Sequence, residues 1–336
     1  MRVADYLWSK ARDTKKSALP VLSFPAGQKL GVSVDRLVKE GEWQAKAMEI
    51  VAQETPSIAA VSFMDLSVES EAFGSQVRYS EDEVPTVIGH IVANQEEAEA
   101  LKIPPVGAAR TGVFVEAIAR AKARITDRPV LAGVTGPFTL TGRLFDVNAI
   151  MLLCYDDPRP VHTVLKKVNQ FLIDYSEALK AAGADGVFIA EPLAGLLSPD
   201  MDAEFSTPYI KHLVEALQEE EFALLYHNCG PSVIRMLPQI FSTGATAYHF
   251  GNALDMREVM QKAPGDKLCM GNIDPAGQFA NGTVQSIKEE TLALLHDLKE
   301  RQNFIISSGC DIPPHASWQN IEAFFDALEE FNSSLT

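Results

Sequence analysis

Cysteine is scarce: four residues in a chain of 336. So few thiols in so long a chain argue against a disulfide framework and point to a reducing compartment. No apolar run approaches the length of a membrane span. The start, from Met1 to Tyr6, lacks the long apolar core of a secretory signal. The expectation is a cytoplasmic protein with no membrane partner. Positive charge is also in deficit, with 29 Lys and Arg against 45 Asp and Glu, a net charge of -16. That balance argues against nucleic acid as a partner. There is no P-loop, no Gly-x-Gly-x-x-Gly and no His-Glu-x-x-His. No low-complexity linker and no short-period repeat divides the chain, so residues 1–336 read as one domain.

What is present is an alternation. Apolar strand-like runs at 19–24, 58–64, 130–134, 186–190, 223–226, 246–250, 268–271 and 304–308 are separated by amphipathic stretches such as 159–182, 208–219, 284–301 and 317–331. Eight such runs with helices between them predict an α/β fold, a parallel sheet closed as a (β/α)8 TIM barrel. A doubly wound open sheet is the alternative. The region before the first run reads as an N-terminal extension. Residues 67–97 fit no simple βα unit and read as an insertion over the barrel mouth.

Each run ends in small, polar or Pro residues, and in barrel enzymes that rim carries the site. Asp65, Glu191, His249 and Asp274 fall at the same relative place in their runs. Asp65 and Glu191 are candidate acid or base groups. His249 is a further candidate catalytic residue, as a fourth metal ligand or a substrate contact. Phe24, Asn252 and Asp274 are candidate substrate-binding positions. The competing reading for each is turn formation, capping or a rim ion pair.

The most informative residues are His227 and Cys229. Two apart on a strand, they point to one face. Cys310 follows the last apolar run in the same manner. One imidazole and two thiols suit zinc, and three protein ligands leave the open position of a catalytic site. Alternatively, the two thiols are small core residues and the imidazole a satisfied core group. Cys154 and Cys269 fit that plainer reading.

Taken in order, several motifs resemble the uroporphyrinogen decarboxylase superfamily over nearly the whole chain. They are Phe63 to Gly74 (FMDLSVESEAFG), Gly136 to Leu140 (GPFTL), Gly183 to Gly186 (GADG), Leu196 to Pro199 (LLSP), His227 to Gly230 (HNCG), Gly271 to Pro275 (GNIDP) and Gly309 to Pro314 (GCDIPP). The resemblance implies the same barrel. It also separates two branches. The decarboxylases are metal-free and carry an Arg-rich motif after the first strand, whereas residues 22–29 here contain no Arg. The zinc-dependent corrinoid (cobalamin) methyltransferases carry His-x-Cys and a distant Cys, which this chain resembles at His227, Cys229 and Cys310.

That branch implies Zn2+ and a corrinoid as cofactors, and methyl transfer between a small methylated substrate and cobalt. The chain lacks the Asp-x-His-x-x-Gly of corrinoid carriers, so a separate corrinoid protein is the implied partner. The form of residues 308–314 departs from that of the thiol-methylating members. The resemblance therefore leans to a demethylating enzyme, with a methylcobamide:coenzyme M (thiol) methyltransferase as the alternative. Two further alternatives are a decarboxylase anchored by Asp65 and a non-enzymatic corrinoid- or metal-binding accessory protein.

Overall fold

The computed structural model describes residues 2–335. Seven parallel strands form one sheet in sequence order: β1 (Ala60–Val61), β2 (Val130–Thr135), β3 (Gly186–Ala190), β4 (Ala223–Asn228), β5 (Ala247–Phe250), β6 (Cys269–Ile273) and β7 (Phe304–Ser308). Parallel neighbours need crossover connections, and the intervening helices supply them. The long helices Arg159–Ala181, Thr207–Leu217, Val284–Asp297 and Trp318–Ser334 fall where the apolar periodicity places them.

Every residue of these seven strands is buried, and the face on which it is buried alternates along the strand as the pleat requires. Val130, Ala132, Val187, Ile189, Leu224, Tyr226, Tyr248, Phe304 and Ile306 pack in the larger core, with the helices. The residues between them, among them Leu131, Phe188, Leu225, Ala247, Met270 and Ile305, form a second core with Leu19 and Val21 on the other face. His227, His249 and Ser307 stand at alternate positions from Leu225, Ala247 and Ile305, so they continue this inner series.

The sheet curls until its two edges meet one short segment. The Leu19 N–H donates to Ile306 O (2.9 Å), and the Ile306 N–H donates to Ser17 O (3.2 Å). The Ile58 N–H donates to Ala18 O (3.0 Å). Residues 19–24, expected as a strand, form no regular strand. A single bridge joins Ala18 to Ile306. Pro20 has no N–H for a ladder, and that interrupts the strand.

The insertion contains a helix, Val68–Ala72, and an antiparallel hairpin pairing Gln76–Arg78 with Thr86–Ile88. Its helix meets the end of β2, where the Thr135 N–H donates to Glu69 at 2.9 Å. The Val34 N–H donates to Glu81 O (2.8 Å), and the Ile91 N–H donates to Leu144 O (2.9 Å). No helix among the described residues is long and apolar enough to cross a membrane.

Candidate metal centre

His227 lies in β4, one residue before its end, and Cys229 lies just past that end. Cys310 follows β7 by two residues. The curl of the sheet brings the three together. One ligand atom from each residue lies within 4.8 Å of the other two. His227 Nε2 is 3.5 Å from Cys310 Sγ. Tetrahedral zinc with Zn–S of ~2.3 Å and Zn–N of ~2.0 Å needs N···S separations of ~3.5 Å. The donor set therefore fits zinc in both chemistry and spacing. The Cys310 thiol bonds to Cys229, which holds Cys229 below the usual thiol value and pushes Cys310 up to about 12, with burial adding to the latter. Metal binding at this site would have to displace the thiol protons.

The orientation of His227 has a cause two strands away. The Ser307 hydroxyl donates to Leu19 O at 2.6 Å, so its oxygen accepts the proton on His249 Nε2 at 2.7 Å. Burial, aided by His227, pushes His249 well below the usual imidazole value and keeps it neutral. Its Nδ1 is then an acceptor, and His227 Nδ1 donates to it at 2.7 Å. In the neutral tautomer this bond selects, Nε2 is the acceptor nitrogen of His227, and it faces Cys310. The β4–β5 register pairs His227 with His249 directly, which is why the rings meet. His249 has both nitrogens occupied and is fully buried, so it stands behind the ligand rather than beside it.

A chamber of about 60 Å3 opens against the cluster, lined by Met64, Leu66, Phe188 and Pro192 together with His227, Cys310 and Asp311. The Asp311 Oδ1 is buried and has no hydrogen-bond partner. Burial, with the charge of neighbouring Cys310, pushes its carboxyl well above the ordinary range. Nothing in the sequence singles out Asp311 beyond its place next to Cys310.

The two expected acid–base residues are not brought to this chamber. Met64 and Leu66 line it, while Asp65 between them turns away into an ion pair with Arg110. Ser67 donates its hydroxyl to Asp65 Oδ1 (2.6 Å), and Arg110 bonds Ser67 Oγ and Glu71 at 2.7 Å each. Likewise Ala190 and Pro192 line the chamber, while Glu191 turns to the N-terminus of the helix Pro137–Leu144. There it accepts from the Phe138 N–H (2.7 Å), the Thr139 N–H (2.9 Å) and the Thr139 hydroxyl (2.7 Å). Burial still pushes Glu191 up to about 7.

The three expected substrate contacts are elsewhere. Phe24 is buried edge-on against Phe63 at a centroid distance of 4.7 Å. Asn252 and Asp274 line a separate groove with Arg257 and Glu290. Asp274 also caps the turn that follows it, accepting from the Ala276 and Gly277 N–H groups at 2.9 Å each. Asp255, near the same groove, caps the helix that begins at Met256.

Fold and site together define a class: a curled parallel α/β protein with a His-Cys-Cys cluster at the C-terminal ends of its strands. The chain belongs to the uroporphyrinogen decarboxylase (URO-D) family, whose model matches residues 23–331. It is 24% identical over 271 residues to the methylcobamide:CoM methyltransferase MtbA of Methanosarcina acetivorans, covering 80% of this chain and 78% of that protein. It is 27% identical over 283 residues to a uroporphyrinogen decarboxylase of Chlorobium phaeovibrioides, covering 81% and 79%. Among solved structures, a methyltransferase from Methanosarcina mazei superposes with a TM-score of 0.87 at 21% identity over 98% of both chains. A B12-independent methionine synthase from Shewanella sp. W3-18-1 superposes at 0.61 with 15% identity over 96% of both chains. These structural likenesses establish a shared fold.

Proposed function

We propose that this protein is a zinc-dependent methyltransferase of the cytoplasm. It moves a methyl group from a small methylated donor, of O-methyl or similar type, to the cobalt of a corrinoid carried by a separate protein. The observation that carries this reading is the convergence of His227, Cys229 and Cys310 at a small, mostly apolar chamber. In this reading residues 17–19 are the eighth stave of a (β/α)8 barrel, and the chamber is its mouth.

Zinc held by the three ligands would stabilise, as a Lewis acid, the oxygen or sulfur from which the methyl group departs. The chain's own residues do the rest. His249 and Ser307 fix the tautomer that presents the bare Nε2 of His227. Met64, Leu66, Phe188 and Pro192 keep the chamber poor in water, which strengthens every polar interaction within it. Asp311 offers an unpaired carboxyl oxygen to a bound molecule.

A second reading runs the transfer from methylcobamide to a thiol, and the likeness to the MtbA relative favours it. A decarboxylase is the third. The occupied state of Asp65, tied to Arg110 and Ser67, counts against its serving as a substrate anchor.

The test is spectroscopic. Zinc-loaded protein is mixed with a corrinoid protein in the cob(I) state and a panel of methyl donors, then with methyl-cob(III) and thiols. A change to methyl-cob(III) in the first arm, absent in Cys310→Ala, is expected. A change only in the second arm reverses the direction. No change in either arm, or turnover of a porphyrinogen by metal-free protein, overturns the methyltransferase reading.

A further inference from the structure

Most arginines of this acidic chain are answered by acids. Arg110, Arg124 and Arg128, three of the four that are not exposed, each hold a carboxylate. The fourth is Arg143. Among the arginines of the described residues it alone is partly buried and has neither an ion pair nor a hydrogen bond. Burial pushes its guanidinium below the ordinary value, and no acid offsets the shift. A cation withdrawn from water without a partner costs stability, and in a chain of net charge -16 an acidic partner is easily supplied.

The surroundings of Arg143 are apolar. It stands in the last turn of the helix Pro137–Leu144, in a groove of about 220 Å3 lined by Thr139, Val147, Pro192, Leu193 and Leu196. The Thr139 hydroxyl is already committed, donating to Glu191 and accepting from the Leu193 N–H. Arg143 is therefore the free polar group of the groove. Pro192 also walls the chamber that holds His227, Cys310 and Asp311. A cavity of ~150 Å3 is enough to hold a benzene ring, so the groove has room for a compact hydrocarbon body.

We propose that this groove is an anion-binding subsite, which takes the carboxylate or sulfonate of a small apolar-bodied substrate whose reacting end enters the chamber past Pro192. The guanidinium offers a planar fork of N–H donors matched to such an anion. The walls formed by Val147, Leu193 and Leu196 cover the hydrocarbon between the two ends. The link between groove and chamber rests on the methyltransferase reading; the anion site itself does not.

The test uses isothermal titration of full-length, zinc-loaded protein. The probes are mercaptocarboxylates of increasing chain length, the alkanethiol of each matching length, and hexanoate, which has no thiol. At one chain length the mercaptocarboxylate should bind about ten-fold tighter than its alkanethiol, the value of one good charge-assisted hydrogen bond. Arg143→Gln should remove that gain and leave alkanethiol binding unchanged, and Arg143→Lys should restore part of it. Equal affinities at every length, or a gain that persists in Arg143→Gln, overturn the subsite. If no thiol binds but hexanoate binds in an Arg143-dependent way, the subsite stands and its link to the chamber falls.

Discussion

His227 and His249 meet Nδ1 to Nδ1 at 2.7 Å, so one ring must donate and the other accept. Ser307 decides which. It accepts a hydrogen bond from the Nε2–H of His249, so that ring's Nδ1 must accept. Outer partners of this kind set the affinity of a metal site as well as its geometry. His249→Phe removes the acceptor while keeping the volume roughly filled. Zinc affinity should fall ~10- to 100-fold, as read by competition with a chromophoric chelator. A wild-type affinity in this variant means that the relay does not hold the tautomer.

Gly251 makes room for the second ligand. A Cβ built there would lie 2.3 Å from Cys229 Cβ and 2.5 Å from its Cα. Neither atom can move without moving the ligand. Gly251→Ala should lower zinc affinity by at least about ten-fold, as a misplaced ligand does, while thermal unfolding stays cooperative. Unchanged zinc binding would show that Cys229 has slack to shift.

The ion pair of Arg110 with Asp65 is almost wholly removed from solvent, with side chains 7% and 0% exposed. Removing one partner strands the other. Arg110→Met should therefore destabilise the protein by about 3–5 kcal/mol in urea unfolding, and adding Asp65→Asn should recover part of the loss. A loss below about 1 kcal/mol, the range of a surface pair, would mean that water reaches Asp65.

Two buried carboxyls give the fold a pH dependence. Burial pushes Glu69 and Glu191 up to about 7 from an ordinary 4.5. The folded chain then binds these protons more tightly than the unfolded chain. Their contribution is complete below pH 4.5 and is lost as pH rises through 7. Each is worth up to about 3 kcal/mol. In urea unfolding at pH 5 and pH 8, Glu69→Gln should narrow the stability difference shown by the wild type. An unaltered difference would mean that Glu69 stays ionised, held by its bonds to Thr135.

The ligand trio was legible because a strand end restricts where side chains point. His227 and Cys229 share a face by strand period, and Cys310 follows the last strand in the same manner. The same period misplaced the acids. At a strand end one residue of offset exchanges the inner face for the outer one, so Met64 and Leu66 line the chamber and Asp65 does not. The expected strand at 19–24 fails at Pro20, whose missing N–H cannot join a ladder whatever the apolar run around it. The relay through Ser307 and His249, the unpaired oxygen of Asp311 and the lone guanidinium of Arg143 depend on contacts between distant segments. No local pattern announces such contacts.

The central claim is the metal. Zinc K-edge X-ray absorption on protein carrying one equivalent of zinc reads the ligand set directly. Two sulfurs at ~2.3 Å and one imidazole nitrogen at ~2.0 Å are expected. A third sulfur should appear when a thiol is added, and one sulfur should be lost in Cys310→Ala. A shell of oxygen and nitrogen alone, or the same shell in wild type and Cys310→Ala, would show that His227, Cys229 and Cys310 do not form the site.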